Sequence, residues 1–268
     1  MVQTNNPADP SGEVKLTWLG QAGLVLQYGA NRLVIDPFIA PHPGRAIAPP
    51  DPETIPIDQV SAVLCTHEHD DHLHFPSLRL IRQASPGCTI MVPAPLVDAV
   101  TQVLGGPVQA AVIGQTDGIG QATITPMPAC HAVNVADGMS SDGGRFVGYV
   151  VRLGGQTIYH AGDTLTWEGQ AATLRRLNVN TACLPINGRD AEREAANIVG
   201  NMNAAEAVAL CLEARAEHLI PIHWDMFSIN LGDPAEAVRL GQASGLTVTV
   251  PVRYQPITLP TTSGTATT

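Results

Sequence analysis

The stretch Thr66-His67-Glu68-His69-Asp70-Asp71-His72 places three imidazoles and three carboxylates in six consecutive positions, 67 to 72. It follows Val60–Thr66, an apolar run with β-branched residues that predicts a buried strand. In a strand-to-helix turn, side chains 67, 69, 71 and 72 can converge on one point. Imidazole nitrogen and carboxylate oxygen are the donors that suit zinc, manganese and iron. A solvated polar turn is the bland alternative, and it does not explain so many titratable groups at one strand end. Three more such groups close strand-like runs: His131 in Pro128-Ala-Cys-His131, Asp163 in His160-Ala-Gly-Asp163-Thr164, and His223 in Ile220-Pro-Ile-His223-Trp224-Asp225.

The elements that must position these residues are short. Val14–Leu19, Gly23–Tyr28 and Arg32–Ile35 read as an antiparallel meander broken by Gly and Asn. Residues 40–56 hold several prolines and little periodicity, as in a long functional loop. Phe75–Ala84 predicts a helix with Pro76 near its start. Strands are expected at Thr89–Val92, Val108–Ile113, Ala122–Met127, Phe146–Leu153, Thr157–Ala161, Thr181–Ile186, His218–Ile222 and Leu246–Val250. Helices are expected at Pro95–Leu104, Gly169–Leu177 and Pro234–Ala243. Another starts at Asn203, capped with a reaching Glu206, and buries Ala204, Val208 and Leu212. Each half of the chain thus has strands first and βα alternation after. Two packed sheets with helices outside satisfy that order. One domain over residues 13–259 is expected, with loose ends at 1–12 and 260–268.

The pattern His67-x-His69-x-Asp71-His72 resembles the HxHxDH signature of the metallo-β-lactamase superfamily, and the other motifs follow in that family's order over about residues 14 to 255. The resemblance implies a four-layer αββα sandwich, an α/β fold of two mixed sheets with helices outside. It also implies a pair of divalent ions, Mn²⁺ or Zn²⁺, with iron also compatible. His67, His69 and His131 resemble the ligands of the first metal, Asp71, His72 and His223 those of the second, and Asp163 the carboxylate that bridges them. Asp36, in Val34-Ile-Asp36-Pro37, resembles the motif that supports the site without binding metal. Two metals about 3.5–4 Å apart can hold a bridging hydroxide and make it nucleophilic near neutral pH. Asp71 is the candidate to orient or deprotonate the attacking water.

A narrower resemblance lies in Asn187-Gly188-Arg189-Asp190, Asn197-Ile-Val-Gly200-Asn201-Met202 and Pro221-Ile-His223-Trp224-Asp225-Met226. These look like the bacterial L-ascorbate-6-phosphate lactonases, which implies opening of a small sugar-derived lactone. A phosphodiesterase or nuclease on a cyclic or short substrate is the alternative, because the same metals can direct attack at carbon or phosphorus. A non-enzymatic metal-binding module is the third reading, and the full ligand set argues against it. Arg189 either forks onto a substrate phosphate or pairs at the surface with Asp190 or Glu192. Asn187 either donates to a substrate oxygen or caps a strand end. His160 is a general acid or a core histidine. His74 is expected to face solvent, His42 to line the pocket mouth, and His218 to be structural. Asp225 is expected to hold a ligand histidine. Trp224 and Phe227 wall the pocket or pack in the core.

Composition narrows the partners. The chain has 268 residues, enough for a large core, and a formal net charge of −10. Lys15 is the only lysine and there is no basic run, which argues against long nucleic acid but not against a small phosphorylated substrate. The five cysteines are an odd number with no C-x-x-C pair and read as reduced buried thiols. Cys65 and Cys130 stand near the proposed ligands, so a thiolate ligand is a further option. Met1–Glu13 lacks the apolar core of a signal peptide, and no apolar run reaches the ~18 residues of a membrane helix. The expectation is a cytoplasmic enzyme, with a homo-oligomer allowed by analogy with the lactonases.

Overall fold

A computed structural model describes residues 12–131, 144–196 and 198–260. The expected loose ends, apart from Gly12 and Pro260, and Asn197 lie outside the described residues. Two seven-stranded mixed sheets face one another. The first comprises β1 (Lys15–Gly20), β2 (Gly23–Tyr28), β3 (Asn31–Ile35), β4 (Ala62–Leu64), β5 (Thr89–Pro93), β6 (Val108–Ala111) and β14 (Pro256–Thr258) in the order β14-β1-β2-β3-β4-β5-β6. The second comprises β7 (Asp117–Ile119), β8 (Ala122–Pro128), β9 (Val147–Leu153), β10 (Gln156–His160), β11 (Thr181–Pro185), β12 (His218–Ile222) and β13 (Thr247–Val248) in the order β13-β12-β11-β10-β9-β8-β7. In each sheet an antiparallel meander leads into parallel strands, β3 to β6 in one and β10 to β13 in the other.

Alternation along the strands creates three apolar layers. On β2 and β3, Leu24, Leu26, Leu33 and Ile35 point between the sheets, where they join Tyr149, Val151 and Ile158. Their neighbours Val25 and Val34 point outward onto Leu78 and Ile81 of α1 (Phe75–Ala84) and Val100 of α2 (Val97–Leu104). On the far side, Tyr159, Ala182 and Leu219 meet α3 (Gln170–Arg176), α5 (Ala204–Ala214) and α6 (Pro234–Ser244). A period of two with both faces apolar is what a strand between two packed layers requires. Helix, sheet, sheet, helix is therefore the architecture, as the sequence pattern implies.

Some boundaries differ from the sequence expectation. The strand expected over 60–66 is only Ala62–Leu64, because the chain leaves the ladder to present Thr66 and His67. The strands β7 and β14 and the short helix α4 (Ala191–Ala195) are unannounced in the sequence, being three to five residues each. Asn203 and Glu206 do form a reciprocal capping box on α5. Leu212, however, is 43% exposed. The buried face of α5 runs through Ala204, Ala207, Val208, Cys211 and Ala214, and Leu212 is turned past its edge. Among the described residues no helix is long and apolar enough to cross a membrane. All five cysteines are buried.

Candidate active site

Ligand-type side chains gather where strands from both sheets end. Asp36 follows β3, His67 follows β4, His131 follows β8, Asp163 follows β10 and His223 follows β12. Ends of parallel strands are the usual place for a site in such sheets, since loops there are free to diverge while the strands stay fixed. Hydrogen bonds tie those loops together. The Val147 amide donates to the Thr66 carbonyl at 3.0 Å, and the Tyr149 hydroxyl donates to the Cys65 carbonyl at 2.7 Å. Thr164 Oγ1 accepts from the Cys130 amide at 2.9 Å, which fixes the His131 loop to the Asp163 loop. Gly162 has φ +61, and a Cβ there would lie 2.8 Å from the Thr66 side chain, so only glycine lets these two loops touch.

The seven residues singled out as metal ligands fall into three overlapping groups. His67, His69 and His131 form one, His67, His72 and Asp163 another, and Asp71, His72 and His223 a third, each with its ligand atoms within 4.8 Å of one another. His67 Nε2 lies 2.9 Å from His69 Nδ1, and His131 Nε2 lies 3.3 Å from the same atom. His72 Nε2 is 3.2 Å and His223 Nε2 3.1 Å from Asp163 Oδ1. The other Asp163 oxygen is 3.7 Å from His131 Nε2. Asp163 thus reaches both halves of the cluster.

Asp36 sets which ring nitrogen faces inward. Fully buried and held at φ 45, it accepts from the Thr66 amide at 2.8 Å through Oδ1. Its Oδ2 accepts from Thr66 Oγ1 at 2.7 Å and from His72 Nδ1 at 2.8 Å. With its hydrogen spent on Asp36, Thr66 Oγ1 accepts from His67 Nδ1 at 3.1 Å. Both imidazoles therefore carry a hydrogen on Nδ1 and turn Nε2 into the site. That tautomer is the one a metal needs.

The same geometry tests whether a cation fits. His72 Nε2 and Asp163 Oδ1 are buried, face each other, and have no hydrogen-bond partner. Two lone pairs at 3.2 Å repel unless a positive charge stands between them. The titration behaviour agrees. Burial opposes charging of His72, yet Asp163, Asp71 and Asp36 outweigh it and hold its pKa well above 6.5. Burial likewise opposes His223, and Asp163 with Asp71 raises it to about 9. Burial works against ionisation of Asp163 too, but His223 and His72 hold it well below the usual carboxylate range. Protons fill this half when nothing else does. In the other half burial drives His67 far down and His131 to about 4, so both are neutral donors ready for a metal. The donor set fits divalent ions in both halves.

Other expected residues lie elsewhere. His160 donates from Nε2 to the Ala22 carbonyl at 2.8 Å and accepts from the Gly162 amide at Nδ1, 3.1 Å. Burial lowers its pKa, and both nitrogens are occupied by backbone. It is a core histidine that clamps the β1–β2 turn to the Asp163 loop, with neither ring nitrogen turned to the ligand cluster. Arg189 grips Glu206 with two bonds of 2.7 Å and also donates to the Asn201 carbonyl. Its partner is neither Asp190 nor Glu192, and its fork is not free for a phosphate. Asn187 donates to Asn230 at 2.7 Å and accepts from Asn201 at 3.1 Å. The Asn187-Gly188-Arg189 and Gly200-Asn201-Met202 segments are thus two loops sewn together, with Gly188 donating to the Met202 carbonyl and Asn201 to the Gly188 carbonyl.

His74 is 4% exposed, contrary to expectation, because Ser77 Oγ bonds its Nδ1 at 2.8 Å and Phe38 packs on its ring. His42 stands 3.9 Å from Asp70, beside the cluster, with Phe227 against its ring. Asp225 holds no ligand histidine. It accepts from the Gln21 amide at 3.0 Å and from Arg253 Nε at 2.7 Å. Trp224, partly buried, stacks on Trp18 at 5.0 Å and packs against the core. Burial raises the pKa of Cys65 and of Cys130, and neither joins a ligand group among the described residues.

Two residues of the site escape sequence reasoning. Phe146 lies over the first group, 5.6 Å from His67 and 5.5 Å from His131 between ring centroids. Gln21 contacts the second group, with Nε2 2.7 Å from Asp71 Oδ2 and 2.9 Å from His223 Nε2. No motif marks either. They reach the site only through the turn between β1 and β2 and the start of β9.

Comparison with known proteins agrees with this fold and site. Residues 31–224 match the β-lactamase superfamily domain. A UPF0173 metal-dependent hydrolase of Pyrococcus furiosus is 30% identical over 235 residues, covering 85% of this chain and 92% of that protein. Another from Methanosarcina mazei is 30% identical over 227 residues, covering 84% and 89%. Among solved structures, the metallo hydrolase Igni18 of Ignicoccus hospitalis superposes with a TM-score of 0.70 at 23% identity, covering 92% of this chain and 98% of that one. This chain belongs to the metallo-β-lactamase superfamily and, within it, to the UPF0173 metal-dependent hydrolases.

Proposed function

We propose that the chain is a two-metal hydrolase that opens a small lactone. The observation that carries the two-metal part is the pair of facing, unpartnered lone pairs on His72 Nε2 and Asp163 Oδ1, continued on one side by His223 and Asp71 and on the other by His131, His67 and His69. His67, His69 and His131 would hold the first ion, Asp71, His72 and His223 the second, and Asp163 would reach both. Such ions supply Lewis acidity for the carbonyl under attack and lower the pKa of bound water towards 7. The protein's own part is to fix the ligands and exclude bulk water. Asp36 keeps His72 and His67 in the binding tautomer, and Phe146 shields one wall. Asp71 is partly exposed while His67, His72 and His223 are buried. It is the carboxylate placed to accept a proton from an attacking water on the open side.

The substrate class rests on the resemblance of the 187–190 and 200–202 segments to the lactonases and on the small demands of the reaction. A lactone needs a polarised carbonyl, a water and a proton for the departing alkoxide. A phosphorylated lactone is not required, since Arg189 is held by Glu206. Manganese- and zinc-loaded protein should be assayed side by side on L-ascorbate 6-phosphate, an unphosphorylated lactone and an activated phosphodiester, with Asp71→Ala as the blank. Fast opening of both lactones with weak diester cleavage is the expected result. Faster diester cleavage would move the chain to the phosphodiesterases.

A further inference from the structure

Gln21 is fully buried and held in the left-handed region, φ 52. Its backbone is clamped from three directions. The amide donates to Asp225 at 3.0 Å, and the carbonyl accepts from the His223 amide at 2.8 Å and from Trp18 Nε1 at 2.9 Å. A strained backbone fixed by that many bonds serves to aim its side chain. The carboxamide is aimed at Asp71 and His223. One terminal atom, Nε2, is 2.7 Å from Asp71 Oδ2 and 2.9 Å from His223 Nε2, which are 3.3 Å from each other. The other, Oε1, is buried with no hydrogen-bond partner.

Those three separations are the edges of a coordination shell. Ligands at right angles around an ion with bonds of about 2.1 Å lie roughly 3.0 Å apart. Without an ion, the NH₂ group belongs at that corner, because it can donate into the lone pairs of the Asp71 carboxylate. With an ion there, those lone pairs point at the cation, and an N–H aimed at the same place meets like charge. Turning the amide by half a revolution about its last bond exchanges nitrogen and oxygen with almost no movement of heavy atoms. The orphaned oxygen then gains a partner.

We propose that Gln21 Oε1 is an additional protein ligand of the ion held by Asp71, His72 and His223, and that its amide turns over when the ion enters. The proposal rests on the two-metal reading above. With Asp163 included, the second ion already has four protein ligands, the number zinc prefers. A neutral oxygen as a fifth ligand favours an oxygen-seeking ion of higher coordination number, so this position should narrow the advantage that zinc ordinarily holds over manganese.

The test is equilibrium dialysis of Mn²⁺ and Zn²⁺ against a chelator, with manganese electron paramagnetic resonance as a second readout. Wild type, Gln21→Leu and Gln21→Glu are compared, with circular dichroism to confirm folding. The expected result is two manganese ions on wild type. Gln21→Leu should lose roughly tenfold or more in affinity for one of them, leave the other unchanged, and lose more affinity for manganese than for zinc. Gln21→Glu, which keeps an oxygen there, should hold the second ion at least as well as wild type. Should Gln21→Leu not fold, the glutamate variant alone decides. Gln21→Leu binding both ions like wild type would overturn the proposal. So would Gln21→Glu losing the second ion, which would make the amide a hydrogen-bond donor only. Wild type binding a single ion would instead refute the two-metal reading itself.

Discussion

Replacing Asp36 by Asn removes a charge without changing shape, and the bonds dictate the outcome. The Asp36 carboxylate accepts three bonds and donates none. The carboxamide oxygen can keep the Thr66 amide, but its NH₂ then stands where Oδ2 was, facing the His72 Nδ1 hydrogen at 2.8 Å and the Thr66 hydroxyl at 2.7 Å. The hydroxyl can rotate away, whereas the imidazole must shift its hydrogen to Nε2. That hydrogen would point at Asp163 Oδ1, 3.2 Å away, where the second ion would sit. Binding the ion then requires restoring the disfavoured tautomer. Loss of such a supporting carboxylate costs about 10–100-fold in metal affinity, roughly 1.4–2.8 kcal/mol. Asp36→Asn should therefore fold but bind the second ion about 10–100-fold more weakly, as read by chelator competition. Asp36→Ala should also lose about 1–3 kcal/mol of stability by orphaning buried donors. An Asn variant with unchanged affinity would show that Asp36 does not set the tautomer.

His160→Phe orphans the Ala22 carbonyl and the Gly162 amide, so it should lower thermal stability by about 2 kcal/mol or more while kcat of the molecules that remain folded changes little; a large kcat loss at full stability would restore the general-acid role. Arg189→Ala should cost no more than about 1 kcal/mol, because the Glu206 pair is partly exposed, and should leave KM for phosphorylated and unphosphorylated lactones alike; a KM rise confined to the phosphorylated one would contradict this. For pH, the His223 pKa is raised from 6.5 to about 9. In the metal-free protein its contribution to stability is fully present below 6.5 and is lost as pH rises through about 9. Over the same window the competing proton leaves, so affinity for the second ion should rise and ion uptake should release protons in calorimetry. Affinity independent of pH between 6.5 and 9 would rule out the imidazolium–carboxylate cluster.

The candidate ligand cluster was legible because its members stand together in sequence at 67–72 or close strands whose apolar pattern is plain, as with His223 after Leu219–Ile222. The architecture was legible for the same reason, since Val25 and Val34 alternate with leucines in runs too apolar to face water. What stayed hidden depends on contacts distant in sequence. Gln21 meets His223 across 202 positions, through a left-handed turn that no residue pattern announces. Glu206 captures Arg189 from 17 residues away, beyond the nearer acids at 190 and 192. His160 looked like an acid because it stands three residues before Asp163. Its rotation into the core follows from where the Ala22 carbonyl lies, which is a property of the packed sheets.

Whether seven side chains hold two divalent ions joined by Asp163 can be read from metal content. Wild type and Asp163→Ala would be loaded with manganese or zinc, dialysed, and analysed by mass spectrometry of the metal per chain. Two equivalents are expected on wild type, and in the variant a fall towards one equivalent together with loss of turnover. Full metal content with normal turnover in Asp163→Ala would contradict it.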